Sequence, residues 1–142
     1  LLSAKHKKDG FEMVEYMVTT CSKEKDPADG VLPAIQRYQH PRIDWVYQES
    51  QRLDLPMLIL SGKYGLIRPD DPIPWYDQAL TLDNVSTLLP ILTEQLHQTL
   101  PDLIHFIALP PETPGWAPYH LVLEQACAPL KVKIRLIPWL GE

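Results

Sequence analysis

Four short apolar runs, each bounded by turn-forming residues, constrain this chain more than any other feature. They are Val14-Glu15-Tyr16-Met17-Val18-Thr19-Thr20, Pro56-Met57-Leu58-Ile59-Leu60, Leu103-Ile104-His105-Phe106-Ile107-Ala108-Leu109 and Lys131-Val132-Lys133-Ile134-Arg135-Leu136-Ile137. The first is rich in β-branched and aromatic residues, as strands are. The second has the length and flanks of a fully buried strand, and the last alternates as a half-exposed edge strand does. Helical patterns separate them. From Pro33 to Asp54 the pattern is helical in two pieces divided by Pro41, with Ile43, Val46, Tyr47 and Leu53 near one face of the second. Val85, Leu88, Leu89, Leu92 and Leu96 fall at the helical period behind Asp83, an N-cap residue type. Pro90 inside that pattern predicts a kink or a start near it. Pro118 suits the first turn of a helix through Cys127.

This alternation is the grammar of a parallel sheet with helices packed on it. The predicted fold class is α/β, three-layer, with a mainly parallel four-stranded sheet and helices on both faces. Right-handed crossovers put every strand's C-terminal end at one edge, where open α/β sheets bind their ligands. Three polar stretches come directly after predicted strands and so converge there: Cys21-Ser22-Lys23, Ser61-Gly62-Lys63-Tyr64 and Glu112-Thr113.

At 142 residues the chain makes a single α/β domain, 13–142, behind an N-terminal arm, 1–12. The arm carries Lys5, His6, Lys7 and Lys8 and reads as flexible or docked on an edge. A hydrophobic content of 45% and a charged content of 22% are those of a soluble globular protein. No apolar run approaches the roughly 20 residues that span a bilayer, and no secretory leader is recognisable, so no membrane partner is expected. Cys21 and Cys127 make no disulfide framework; both thiols are expected reduced, in the cytoplasm. The net charge of -5 argues against an electrostatic grip on bulk nucleic acid. It leaves room for a local pocket taking an anionic or base-like ligand, and leaves a nucleic-acid partner and the oligomeric state open. Fifteen prolines, about twice average usage, lie mostly between the apolar runs and punctuate loops.

Unusual chemistry concentrates between Ser61 and Asp77. A buried strand running into Ser61-Gly62-Lys63-Tyr64-Gly65 has to turn sharply, and Gly62 and Gly65 permit the backbone angles required. Pro69, Pro72 and Pro74 then stiffen a segment whose composition disfavours both helix and central strand. It reads as an ordered functional loop. Its polar groups need partners elsewhere, so Tyr76 or Asp77 is expected to hydrogen-bond back to the turn after the first strand.

The chain lacks both G-x-x-x-x-G-K-[ST] and G-x-G-x-x-G, which disfavours a nucleoside-triphosphate or dinucleotide machine, and no cofactor is expected. His6, His40, His97, His105 and His120 are dispersed without metal-ligand spacing, so no metal site is expected. Cys21, with Lys23 and Lys25 nearby, has the setting of a nucleophile, but no His or carboxylate is placed by sequence as its base, and a small buried residue at a tight turn is the preferred reading. Ser22 and Ser61 read as hydroxyl donors to a ligand or as helix caps. Asp70, Asp71 and Asp77 with Tyr76 are the suggestive acid group, a carboxylate beside a stiff backbone being able to activate water. Asp70-Asp71-Pro72 is equally a turn signal, and Asp77 also suits a buried structural acceptor.

The residues Cys21, Ser22, Lys23 and Tyr38, then Ser61, Gly62, Lys63, Tyr64, Gly65 and Leu66, then Pro69, Asp70, Ile73, Tyr76 and Asp77 form a spaced pattern. It resembles that of a family of small bacterial domains of unknown function, in detail from about Val14 to Leu80 and more loosely through the helix holding Tyr119. The family's α/β arrangement is similar to the one the apolar runs predict, and distantly similar to uracil-DNA-glycosylase-like folds and to domains in archaeosine synthesis, which handle nucleobases or nucleic acid. The proline-rich Pro110–Pro114 loop with Trp116 departs from the family pattern.

Two readings are open. In the first, the chain binds a nucleobase, nucleoside or nucleotide at the C-terminal edge, with hydrolysis or transfer at a glycosidic bond. Lys23 and Lys63 would meet phosphate or an oxyanion, Cys21, Ser22, Tyr38, Ser61, Gly62, Gly65 and Tyr76 would shape the ligand site, and Tyr64 or Trp75 would stack. Asp71 or Asp77 would position water or stabilise positive charge developing on the sugar. In the second, the chain is a non-catalytic protein-interaction module anchored by Trp75, Tyr76 and Trp116.

Overall fold

The computed structural model describes residues 5–8 and 11–141. In chain order its elements are β1 (Lys5–Lys8), β2 (Phe11–Thr20), β3 (Val31–Pro33), α1 (Ala34–Arg37), α2 (Pro41–Arg52), β4 (Met57–Ser61), β5 (Gly65–Ile67), β6 (Pro72–Pro74), α3 (Val85–Thr99), β7 (Leu103–Ala108), α4 (Ala117–Cys127) and β8 (Lys133–Pro138). The arm expected over residues 1–12 falls in part outside the described residues. Within it, β1 pairs antiparallel with the first residues of β2.

The four apolar runs become β2, β4, β7 and β8, which pair in parallel in the order β4-β2-β7-β8. A further strand, β5, lies antiparallel on β4. The result is a mixed α/β fold whose main sheet is mostly parallel and has five strands, with β1 attached to β2; the four strands expected are too few. The extra one arises because Gly62-Lys63-Tyr64 reverses the chain in three residues and closes on the Ser61–Gly65 pair. Gly65 takes a φ of 73° there, the left-handed conformation that commonly closes three-residue hairpins. Its returning arm spans only Gly65–Ile67, too short to announce itself by periodicity.

Successive strand residues point to opposite faces, and they feed two hydrophobic clusters. Val18, Leu58, Leu60, Ile104 and Phe106 meet Leu88, Leu92 and Leu96 of α3 and Val122 and Leu123 of α4. Met17, Ile59 and Ile107 meet Ala34, Ile43 and Val46 of α1 and α2, together with Ile73 and Tyr76. At about 1.5–3 kcal/mol for each fully buried aliphatic side chain, these clusters dominate the stability of the fold. Among the described residues no helix is long and apolar enough to cross a membrane.

His40 caps α2: its Nδ1 accepts the Arg42 N–H at 3.1 Å, and Pro41 opens the first turn. Asp83 does not cap α3. A short 3-10 turn at Leu82–Asn84 leads into that helix, and no side chain bonds its first N–H groups. Pro90 neither starts nor ends α3. It lies on the exposed side above exposed Ser86, so water can replace the hydrogen bond that proline cannot make.

The proline-rich stretch is also more regular than its composition suggests, since β6 pairs antiparallel with β3 in a small separate ribbon. Of its three residues only Ile73 has an N–H, and a peripheral ribbon asks little more. The fully buried guanidinium of Arg37 locks this ribbon. It donates to the carbonyls of Ile73 (3.1 Å), Asp26 (2.6 Å), Ala28 (2.9 Å) and Gly30 (2.7 Å), fastening the loop after β2 to β6.

A Cβ placed on Gly65 would fall 2.3 Å from Gln95 Oε1, the acceptor of the Leu66 N–H at 2.7 Å. Gly65→Ala therefore combines positive-φ strain with loss of the α3–hairpin link, and is expected to cost roughly 1–3 kcal/mol in urea unfolding. An unchanged midpoint and slope would contradict this account of the hairpin.

Candidate functional site

Parallel pairing sets the ends of β2 and β4 side by side, Thr20 opposite Leu60, and the Cys21 N–H extends the ladder to the Leu60 carbonyl at 2.9 Å. A cavity of about 480 Å³ opens at this C-terminal edge. Cys21, Ser22 and Lys23 line it from the end of β2, Arg42 from the start of α2, Asp77 from the segment after β6, and Trp116 and Tyr119 from the start of α4. A larger cavity, about 580 Å³, lies near Tyr16, Tyr47, Met57 and Arg68, toward the start of β4. We take the smaller cavity as the candidate site because thiol, guanidinium, ammonium and carboxylate groups converge on it, at the edge where open α/β sheets take ligands.

Of the three polar stretches expected to converge, only the first lines the cavity. Ser22 Oγ donates to the Glu24 carbonyl at 2.7 Å, which holds the turn closed. Cys21 is half-buried and its Sγ lies 3.7 Å from Tyr119 Oη, which also accepts the Leu80 N–H at 3.2 Å. Neither Glu112 nor Thr113 lines the cavity; Pro114, Gly115 and Trp116 do so in their place.

The stretch from Ser61 to Gly65 stands behind the cavity rather than in its wall. Ser61 Oγ accepts the N–H groups of Lys63 and Tyr64, both at 3.1 Å. A hydroxyl has one hydrogen and two lone pairs, so the Ser61 O–H is left to donate to Tyr76 Oη, 2.8 Å away. Tyr76 in turn shares a hydrogen bond with Tyr38 Oη. Burial pushes the Tyr38 phenol up to about 12, against the lowering effect of its Tyr76 and Ser61 hydrogen bonds. Burial, then the neighbouring Cys21 and Tyr38, also raise Tyr76. Both phenols are therefore neutral hydrogen-bonding groups near pH 7. Gly62 is where Leu80 and Tyr119 pass closest to the hairpin: a Cβ there would fall 2.8 Å from Leu80 N and 3.1 Å from Tyr119 Oη. Tyr64 packs edge-on against Tyr76, ring centres 5.3 Å apart. Lys63 is exposed, with its ammonium 5.4 Å from the Tyr64 ring centre and 5.7 Å from that of Tyr76.

The expected hydrogen bond from Tyr76 or Asp77 to the turn after β2 is not what ties that turn down. Tyr76 bonds Ser61 and Tyr38, and the turn reaches it through the Lys25 ammonium, 4.7 Å from the Tyr76 ring centre. Asp77 is exposed, so it is no buried structural acceptor; it faces the cavity. Asp71 Oδ2 accepts the Arg68 N–H at 2.8 Å and closes a turn away from the cavity. Trp75 is 55% exposed, whereas Tyr76 is buried.

Arg42 was not singled out by the sequence, and neither was His40. A cation in the first turn of a helix opposes the helix dipole, and that misplacement was the available signal. Arg42 is buried, its Nη1 donates to Thr19 Oγ1 and to the Thr20 carbonyl at 2.9 Å, and its Cζ lies 4.9 Å from the Trp116 ring centre. Burial lowers its guanidinium to about 10, against the opposing pull of Cys21 and Tyr119. Burial and then Arg42 also lower His40, which keeps the imidazole neutral as the α2 cap. Among the described residues no group of His, Cys, Asp and Glu side chains could hold a metal ion.

No family model matches the chain, and neither does any curated protein or solved structure.

Both cysteines are free, but they sit differently. Cys127 is 1% exposed and burial pushes its thiol up to about 12, while Cys21 opens on the cavity. Native protein titrated with a small alkylating reagent at pH 8 is therefore expected to consume one equivalent fast, at Cys21 by peptide mapping, and a second only after denaturation. Fast modification of Cys127 would contradict the arrangement.

Proposed function

We propose that the chain binds a nucleobase, nucleoside or nucleotide in the cavity at the C-terminal edge of its sheet, as a member of the small bacterial domain family its motif resembles. The observation that carries this reading is the convergence, in one 480 Å³ cavity, of two aromatic walls, Trp116 and Tyr119, with the polar ends of β2 and α2. Planar bases gain from aromatic contact, and the volume lies in the range of small-molecule sites. The three-layer arrangement expected from the sequence belongs to the same proposal; the two hydrophobic clusters, one with α1 and α2 and the other with α3 and α4, support it.

If the bound molecule reacts, Asp77 is the group suited to position water at a glycosidic bond, because it is exposed and lines the cavity. Asp71, held in its turn, is not. The protein-interaction reading keeps one support, the 55% exposure of Trp75; Tyr76 is buried too deeply to anchor a partner.

A melting screen across bases, nucleosides and nucleotides tests the proposal. A true ligand at 100 times its dissociation constant stabilises by about 2.7 kcal/mol, which is roughly 10 °C in Tm for a domain of this size. Asp77→Asn is expected to change the unliganded stability by less than about 0.5 kcal/mol while abolishing any turnover of the ligand found. A screen in which no member of these classes shifts Tm, together with a partner that protects Trp75 from oxidation, would replace the first reading with the second.

A further inference from the structure

Two arginines are buried in this protein, and their surroundings differ. Arg37 gives its donors to four backbone carbonyls. Arg42, 3% exposed, is bonded through Nη1 alone. Its Nε is buried with no hydrogen-bond partner, its Nη2 has none among the described residues, and no carboxylate there pairs with it. A buried cation without a counter-charge is costly to the fold. Arg37 is explained by the loop it holds; Arg42 is left with three unused N–H groups.

Two of them, the Nε–H and one Nη2–H, run parallel along the Nε–Nη2 edge, which matches two oxygens of an oxyanion. The Trp116 ring covers one face of the guanidinium, with Cζ 4.9 Å from the ring centre, and Arg42 lines the cavity. We propose that this edge of Arg42 receives a phosphate group of the cavity's ligand, a proposal that rests on the cavity being the ligand site. It moves the anion contact from Lys63, which does not line the cavity, to a residue that does. The nucleotide class proposed for the cavity makes that oxyanion a phosphate. Lys23 and Lys25 join Arg42 on the cavity wall against Glu24 and Asp77, so three cations face two carboxylates. Lys23 and Lys25 are balanced by Glu24 and Asp77, so the cavity's net positive charge is that of Arg42. The guanidinium remains charged at neutral pH even though burial brings it to about 10.

Calorimetric titration in phosphate-free buffer decides the matter, with inorganic phosphate, the four common ribonucleosides and their 5′-monophosphates as probes. Inorganic phosphate is expected to bind wild-type protein alone, and at least one monophosphate to bind about tenfold or more tighter than its nucleoside. Arg42→Lys, which keeps the charge and loses the fork, is expected to remove that preference. Lys23→Gln is expected to cost about fivefold or less, as exposed charges do. A nucleoside that binds as tightly as its monophosphate overturns the phosphate proposal and leaves the base-binding reading standing. Phosphate binding with no gain from any nucleoside moiety supports the proposal and overturns that reading instead. A preference that survives in Arg42→Lys but disappears in Lys23→Gln overturns the assignment to Arg42. If Arg42→Lys fails to fold, the wild-type comparison and Lys23→Gln still decide, and no binding of any probe overturns both.

Discussion

The hydroxyl chain from Ser61 through Tyr76 to Tyr38 is the contact on which the candidate site depends. Its three members come from the end of β4, from the segment after β6 and from the residue after α1, and the buried Arg37–Ile73 hydrogen bond runs alongside it from α1 to β6. Ser61 faces both ways, accepting from its own hairpin and donating to Tyr76. One oxygen therefore links the tight turn to the proline-rich segment. Lys25, lying over both phenol rings, adds the turn after β2 to the same assembly. Both phenols are neutral near pH 7, so the chain is a fastening: it holds Tyr76, the residue before Asp77, against the end of β4.

Arg37 and Arg42 show how one residue type serves two ends within five positions of the sequence. A guanidinium surrounded by carbonyls is satisfied and stabilises the loop that supplies them. A guanidinium with a free edge beside a cavity costs stability and is suited to an anion that offsets the cost on binding. Stability given up at a site in this way is the usual trade between folding and function.

Much of the fold could be read from hydrophobic pattern alone. The four apolar runs dictate four parallel strands, parallel pairing dictates a shared edge, and the edge dictates where Cys21, Ser22 and Lys23 collect. The features that stayed hidden depend on single residues in three dimensions. The three-residue strands β5 and β6 carry no measurable period. The motif residues Ser61, Tyr38 and Tyr76 read as ligand contacts because hydroxyls look alike in sequence, whether they face a ligand or each other. Asp71 and Asp77, six positions apart, differ only in that a turn N–H holds one and the cavity receives the other. Arg42 offered in sequence only its unfavourable place in the first turn of α2; its burial depends on surroundings that the sequence does not display.

The most direct measurement of this account is a double-mutant cycle on the hydroxyl chain, with Ser61→Ala, Tyr76→Phe and the double variant compared by urea unfolding. If the chain fastens the hairpin to the proline-rich segment, each single change leaves a buried partner unsatisfied. The coupling energy is then expected to be about 1–3 kcal/mol. Effects that add to within about 0.5 kcal/mol would mean that the two hydroxyls do not depend on each other, contradicting the claim that this chain organises the site.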